Sequence, residues 1–257
     1  MMKKMMVKTP QQIEAIRQAG KYHNQLLIIL RDAAKAGTSL IELEQIAVEF
    51  LKEHKLKGSF KGYNGYPANL CLSVNDCVVH GIPDNYVLKN GDLLKIDLGI
   101  TYKGCMTDAA ISVIVGGEHT NPEAAGLLEA TKNGLDECIR FFGAGRAVYD
   151  RSYAISHYVT QKGYSVIKPL TGHGTGKYVH EAPTIYNYPH PESKKTILQK
   201  NLVIAVEPIT AITSTDYVER PRINNRNLYT SHGDVGCQRE YTLLITDNGY
   251  EILAGIQ

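Results

Sequence analysis

The order of predicted elements repeats along the chain, and this repetition limits the folds open to it. Thr9-Pro10-Gln11-Gln12 combines an N-cap, a proline at the first helical position and a capping-box glutamine, which predicts a long first helix. Ser39-Leu40-Ile41-Glu42 is a second capping box, and we expect its helix to end near Gly58. Strand-type sequence follows at 70–74 and, as two strands around a turn, at 93–115.

The same order then begins again. Asn121, with Pro122 after it, predicts a third helix, and a fourth covers roughly 148–162. Strands are predicted at about 164–168, 202–207 and 239–246, with a D-N-G turn at 247–249 closing a last hairpin. We therefore predict an α+β fold in which two similar halves, about 7–116 and 120–253, share an antiparallel sheet within one domain spanning 1–257.

Composition excludes several classes of protein. The net charge is +2 and the basic residues are scattered, so we expect no specific nucleic-acid partner. No stretch approaches 18 consecutive apolar residues, and we expect no membrane span. The five cysteines include no C-x-x-C pair, which predicts a cytoplasmic protein with reduced, buried thiols and neither a disulfide scaffold nor a thiolate zinc site.

Two aspartates flank the turn of the predicted hairpin at 93–115. Asp97 and Asp108 lie at equal distances from a midpoint at Tyr102/Lys103, so we expect them to face each other with Cβ atoms about 4.5–5.5 Å apart. An exposed, solvated hairpin is one interpretation. The strongly apolar alternate residues from Leu94 to Ile100 favour a buried hairpin instead, and buried paired carboxylates need a proton or a cation between them.

A second carboxylate pair interrupts apolar strands in the other half. Glu207 ends one strand and Glu240 precedes another; either alone is more often a surface residue. A pseudo-two-fold relation between the halves would bring both onto the axis with the two aspartates, and His173 would join them. This oxygen-rich set without thiolate suits Mn²⁺, Fe²⁺, Co²⁺ or Zn²⁺. Four carboxylates balance two divalent ions, which would lie roughly 3.5 Å apart.

The segment GHGTGKYVHEAP, residues 172–183, looks at first like a phosphate-binding loop. A P-loop would need glycine at 171 and serine or threonine at 178, where the chain has Thr171 and Tyr178. A dinucleotide-binding fingerprint would need glycine at 177, which is Lys177. We interpret the glycines as allowing close backbone approach beside a metal held by His173.

Motifs across the whole chain carry a family resemblance. The ordered set Asp97, Asp108, His173, Glu207 and Glu240, with the segments GYNGYPANLCLSVNDCVVHGIP, GHGTGKYVHEAP, AVEPI and DNGYEIL, resembles the methionine aminopeptidases of the pita-bread fold. The resemblance covers about Val7 to Leu253, and the short intervals between the last three ligands are similar to the type I, bacterial-type form. It implies an α+β pita-bread fold, with two pseudo-symmetric α-α-β-β halves and helices outside a curved sheet.

The resemblance also implies an activity, a cofactor and partners. The activity is that of a methionyl aminopeptidase: water activated by two divalent ions attacks the first peptide bond of a nascent protein and releases its methionine. The implied partner is a peptide with N-terminal methionine, with transient ribosome contact, and the chain would act as a monomer in the cytoplasm.

Roles for single residues follow from the same resemblance. Asp97 would chelate one ion, His173 and Glu207 the other, and Asp108 and Glu240 both. Glu207 would also accept the proton of water. His80 and His180 would hold the substrate and stabilise the tetrahedral oxyanion. The methionine pocket would be lined by Tyr63, Tyr66 and Cys71.

Three departures from the family pattern bear on the pocket. Val179 stands where phenylalanine is common, and Tyr241 where histidine or asparagine is usual. The chain has no tryptophan, for which Leu228 or Tyr229 would substitute.

Two rival functions are open to this fold. A non-catalytic relative that binds RNA, ribosomes or other proteins would lack ligands that this chain keeps. An X-Pro peptidase would carry a further domain before its ligands, whereas here the first half uses the residues before Asp97.

Overall fold

The computed structural model describes residues 4–220 and 224–256; the outermost residues of the predicted 1–257 domain, 1–3 and 257, lie outside that range. The first part of the chain contains α1 (Pro10–Ala33), α2 (Leu40–Glu53), β1 (Lys57–Gly58), β2 (Leu70–Val74), β3 (Cys77–Val79), β4 (Leu93–Tyr102) and β5 (Cys105–Ile114). It is followed by α3 (Pro122–Ile139), α4 (Val148–Gln161), β6 (Ser165–Val166), β7 (Gly172–Gly174), β8 (Glu181–Ile185), β9 (Val203–Val206), β10 (Ile209–Ala211), β11 (Tyr217–Arg220), β12 (Asn224–Thr230), β13 (Gly236–Gln238), β14 (Tyr241–Thr246) and β15 (Gly249–Ala254). The α+β prediction is confirmed. No helix within the described ranges is long and apolar enough to cross a membrane.

Both predicted capping boxes are present, but α2 ends earlier than predicted. The Thr9 and Ser39 hydroxyls accept from the backbone N–H three residues on, as the sequence indicated. α2 stops at Glu53, not near Gly58, because Lys55 adopts the left-handed conformation (φ 53°) that usually requires glycine. The N–H groups of Lys55 and Leu56 bond back into the last turn as a Schellman motif. Gly58 instead pairs with β4.

The register of the β4–β5 hairpin differs from the predicted one. Lys103 and Gly104 both have positive φ (49° and 75°), as in a two-residue type I′ turn, so the hairpin centre lies between them. Asp97 is therefore opposite Ala110, and Asp108 is opposite Gly99. The prediction that the two aspartates face each other directly is wrong. They are diagonal neighbours on one face of the pair, and the apolar face contacts the core as predicted.

Two hydrophobic cores lie beneath the two helix pairs. The first packs α1 and α2 against β2, β4 and β5, and the second packs α3 and α4 against β9 and β14. Helix α1 also approaches β15 closely: a Cβ atom at Gly20 would lie 1.8 Å from the Leu253 carbonyl oxygen, so only glycine fits there. The first helix therefore joins the two parts of the sheet system.

The two halves meet where β5 lies beside the start of β14. The Glu240 N–H donates to the Ala110 carbonyl over 3.0 Å. Close by, the Thr242 hydroxyl accepts from the Asp108 N–H (2.8 Å) and donates to the Asp108 carbonyl (2.6 Å). We call this contact between β5 and β14 the seam. It brings a predicted ligand from each half to one place.

Helix α1 buries a histidine whose titration should affect stability. His23 is fully buried, with its ring nitrogens beside the Thr107 hydroxyl (2.9 Å) and the Ala109 carbonyl (3.3 Å), and burial lowers its pKa to about 3. Since the unfolded chain binds this proton near pH 6.5 and the folded chain does not, folding stability is full above that pH. It falls by up to about 1.4 kcal/mol per pH unit as pH drops toward 3.

We expect His23→Asn to remove this component from the pH dependence of urea unfolding. The exposed His157, changed to Asn in the same way, is the control. Equal slopes of unfolding free energy against pH in wild type and His23→Asn would contradict the assignment.

Candidate active site

A cavity of about 1490 Å³ opens beside the seam. Its lining includes every site residue predicted from the sequence: Tyr63, Tyr66, Cys71, His80, Asp97, Asp108, His173, His180, Glu207 and Glu240. The strands explain this convergence, because Asp97 lies on β4, Asp108 on β5 and His173 on β7. Glu207 directly follows β9, and Glu240 directly precedes β14. Two paired strands from the first half and three from the second thus place polar side chains in one space.

The carboxylates in this cavity are buried together without enough partners. Glu240 is only 1% exposed, and Asp97 and Asp108 are also buried. Burial first, and then the charges of neighbouring carboxylates, raise the pKa of all three well above their usual range. One oxygen of each, Asp97 Oδ1, Asp108 Oδ1 and Glu240 Oε1, has no hydrogen-bond partner. Buried carboxylates this close together are stable only if protons or cations lie between them.

His173 is oriented to serve as a ligand. Its Nδ1 lies 2.9 Å from the Gly174 carbonyl, which only accepts, so the proton is on Nδ1 and the Nε2 lone pair is free. Nε2 lies 3.4 Å from Glu207 Oε1 and 3.8 Å from Asp108 Oδ2. Asp108, His173 and Glu240 each offer a ligand atom within 4.8 Å of the others. The residues therefore fit a divalent ion with oxygen and imidazole ligands.

A glutamine in the site was missed by the sequence reasoning. The Gln238 amide nitrogen lies 3.4 Å from Asp97 Oδ2 and 3.3 Å from Glu207 Oε2, and so connects a carboxylate of each half. It is 1% exposed, and its Oε1 atom has no partner. The signal was its spacing, since Gln238 precedes Glu240 by two residues and side chains alternate along extended chain.

Two further histidines face the carboxylate cluster from the cavity. The His180 ring centroid is 4.1 Å from that of His173, and its Nδ1 is 2.9 Å from the Tyr63 hydroxyl. Burial and the neighbouring histidines lower the pKa of His180 to about 4. Desolvation by the surrounding protein also lowers the pKa of His80, whereas the negative charge of Glu207 acts in the opposite direction. The His80 side chain is nevertheless exposed to solvent in the cavity. Both imidazoles are therefore neutral hydrogen-bonding groups at neutral pH.

One side of the cavity is apolar. Tyr66, Cys71 and Val179 pack there in a small buried cluster with Phe60 and Ala68. The Tyr66 hydroxyl donates to the backbone carbonyls of residues 70 and 81, which fixes its ring. The departure at Val179 thus lies in the wall of this apolar pocket.

The other departures divide between the cavity and the core. Leu228 lines the cavity, whereas the Tyr229 hydroxyl accepts from Asn227 and its ring lies under the Arg220 guanidinium. Tyr241 is fully buried in the second core, and its hydroxyl donates to Asp136. The Tyr241 departure therefore affects the helix side of the sheet and not the cavity.

Comparison with known proteins agrees with this geometry. The model of metallopeptidase family M24 matches residues 14–247. The chain belongs to that family. The methionine aminopeptidase of Clostridium acetobutylicum is 36% identical over 248 residues, covering 96% of this chain and 97% of that protein. The resemblance to bacterial methionine aminopeptidases, predicted from the motifs, is confirmed.

Solved structures agree on the M24 fold. The crystal structure of methionine aminopeptidase from Thermotoga maritima has a TM-score of 0.93 at 34% identity, covering 98% of this chain and all (100%) of that one. The prolidase from Pyrococcus furiosus has a TM-score of 0.77 at 20% identity, and the match covers 98% of this chain but 66% of the prolidase chain. The second likeness shows a shared fold alone. The predicted pita-bread fold is confirmed.

The unpartnered carboxylates should make this M24 protein respond to metal. We expect Mn²⁺ in hundredfold excess over its dissociation constant to stabilise the metal-free protein by about 2.7 kcal/mol, or about 5–10 °C in Tm. Asp108→Asn removes a charge that the ion neutralises and should lose most of this shift. Differential scanning calorimetry measures both. The exposed Asp32, changed to Asn, should keep the shift. An undiminished shift in Asp108→Asn would contradict the fit.

Proposed function

We propose that this chain hydrolyses the first peptide bond of proteins that begin with methionine. The supporting observation is one cavity in which buried, unpartnered carboxylates adjoin two neutral histidines and an apolar pocket. The apolar pocket fits an unbranched, uncharged side chain such as methionine. Membership in M24, with methionine aminopeptidases as relatives, favours the same reaction.

The family implies divalent metal ions, and we propose that this chain holds two. Asp97 would bind one, His173 and Glu207 the other, and Asp108 and Glu240 both. The oxygen-rich ligands suit Mn²⁺, Fe²⁺, Co²⁺ or Zn²⁺. Bound ions supply a Lewis acid that polarises the peptide carbonyl and lowers the pKa of water.

The protein's own residues orient the substrate and move protons. Tyr63, Tyr66 and Cys71 receive the methionine side chain. Neutral His80 and His180 donate hydrogen bonds to the peptide and to the oxygen on which negative charge develops. The Glu207 carboxylate accepts the proton of the attacking water and passes it to the departing amine.

The proposed substrate suggests where the protein acts. Chains still carrying their first methionine are nascent proteins, so we propose that the protein acts in the cytoplasm and contacts the ribosome transiently. We also propose that it acts as a monomer. The five cysteines, all buried and unpaired, are consistent with a reducing compartment.

Activity on a defined peptide tests the proposal. With Mn²⁺ or Co²⁺, we expect the purified protein to release methionine from Met-Gly-Met-Met and to leave an Ala-Pro peptide intact. Liquid chromatography of the products measures both. No methionine release with Mn²⁺, Fe²⁺, Co²⁺ or Zn²⁺ would contradict the proposed function.

Removing the proton acceptor tests the assigned chemistry. We expect Glu207→Gln to lower kcat by about 10²–10⁴-fold, the usual contribution of acid–base catalysis, and His180→Ala to lower it in the same direction. The exposed residues Glu49 and His157, changed to Gln and Ala, should keep the wild-type rate. Full kcat in Glu207→Gln or in His180→Ala would contradict the role assigned to that residue.

A further inference from the structure

A lysine is buried behind the carboxylate cluster without a carboxylate of its own. Lys95 lies on β4 two residues before Asp97, on the same face of the strand, and is 0% exposed. Within residues 4–220 and 224–256, no carboxylate oxygen lies within 4.0 Å of its nitrogen. Its Nζ instead donates to the carbonyls of Asn75 (2.7 Å) and Gly236 (3.0 Å). A buried charge is costly unless such bonds replace its water.

The two carbonyls belong to separate segments that lead into the site. Asn75 lies in the turn between β2 and β3, and the chain after β3 reaches His80. Gly236 begins β13, which carries Gln238 and leads to Glu240. The Asn75 carbonyl also accepts from the Gly236 N–H (3.1 Å), so the ammonium closes a junction between the two segments.

A serine beside Lys95 also binds β13, two residues after Gly236. Ser112 on β5 is opposite Lys95 in the hairpin. Its hydroxyl donates to the Gln238 carbonyl (2.7 Å) and accepts from the Gln238 N–H (3.2 Å). The hairpin that carries Asp97 and Asp108 therefore grips β13 at two successive points, Gly236 and Gln238.

We propose that Lys95 is a positioning residue whose ammonium acts as a tethered internal cation. It fixes β13 and the β2–β3 turn against β4, and so sets where Gln238 and Glu240 lie relative to Asp97. Supporting groups of this kind change metal affinity or activity by about 10–100-fold when removed. The effect on turnover rests on the proposed function, whereas the effect on metal affinity does not.

Substitutions at Lys95 separate positioning from simple packing. Lys95→Met keeps most of the side-chain length and loses the donors. We expect it to weaken Mn²⁺ binding by about 10–100-fold and to lower kcat on Met-Gly-Met-Met to a similar extent. KM should change less than kcat, because the apolar pocket lies on other residues. The exposed Lys89, changed to Met, removes a charge elsewhere and should alter neither quantity. Isothermal titration calorimetry and steady-state kinetics measure these effects.

Chemical rescue tests the tethered cation directly. Lys95→Ala leaves space next to the two carbonyls, so ammonium chloride should restore part of its Mn²⁺ affinity and kcat. Tetramethylammonium chloride, which cannot donate hydrogen bonds, should not. Lys95→Met fills the same space, and neither salt should restore it. Ammonium that fails to rescue Lys95→Ala, or that raises all proteins equally, would overturn the proposal.

Two outcomes keep this test independent of other failures. If wild type binds Mn²⁺ but releases no methionine, the proposed function fails and the affinity arm still decides on Lys95. If the Lys95 variants do not fold by circular dichroism, Ser112→Ala removes the second grip on β13 and should weaken Mn²⁺ binding in the same direction. Unchanged Mn²⁺ affinity in Lys95→Met, or in Ser112→Ala when it replaces that variant, contradicts the proposal.

Discussion

The burial of carboxylates from both halves in one cavity, together with the repulsion among them, is the constraint on which this structure depends. Asp97 and Asp108 come from one half of the chain and Glu207 and Glu240 from the other, so the halves can join only by bringing like charges together. The hydrophobic cores beneath the two helix pairs oppose this repulsion from both sides. The Glu240–Ala110 hydrogen bond and the Thr242 hydroxyl then hold the seam at the point of greatest electrostatic cost. Stability is given up at the centre in return for a site that attracts cations.

Local sequence signals predicted most of the elements and the convergence of the site. Capping boxes at Thr9 and Ser39 marked helix starts because they act within a single turn. The failures are local too. Lys55 took a conformation that normally needs glycine, and the Lys103–Gly104 turn moved the hairpin centre. The same-face placement of Asp97 and Asp108 survived that shift, because it depends on alternation along each strand and not on which residues are opposite.

Contacts between distant segments were beyond the sequence. Gln238 reaches Asp97, and Lys95 reaches Gly236, each across 141 positions of the chain. A lone polar residue in a strand is usually exposed, so neither residue type indicated these contacts. The local patterns, apolar alternation around Lys95 and the two-residue spacing of Gln238 and Glu240, pointed to burial but not to the partner. The likeness to known aminopeptidases also left the effect of Tyr241 open. Its burial in the second core and the hydrogen bond from its hydroxyl to Asp136 show that this departure faces the helices.

The seam has a consequence for how such a protein comes apart. Most globular proteins loosen first at their ends and surface loops, where few contacts are lost. Here the least favourable electrostatics lie in the middle, between β5 and β14, while α1 spans the outside and contacts β15 at Gly20. Without cations, we therefore expect the contact between β5 and β14 to be destabilised while the outer helices remain packed. Cations bound by these carboxylates would relieve that cost, so metal binding and the joining of the two halves should be coupled.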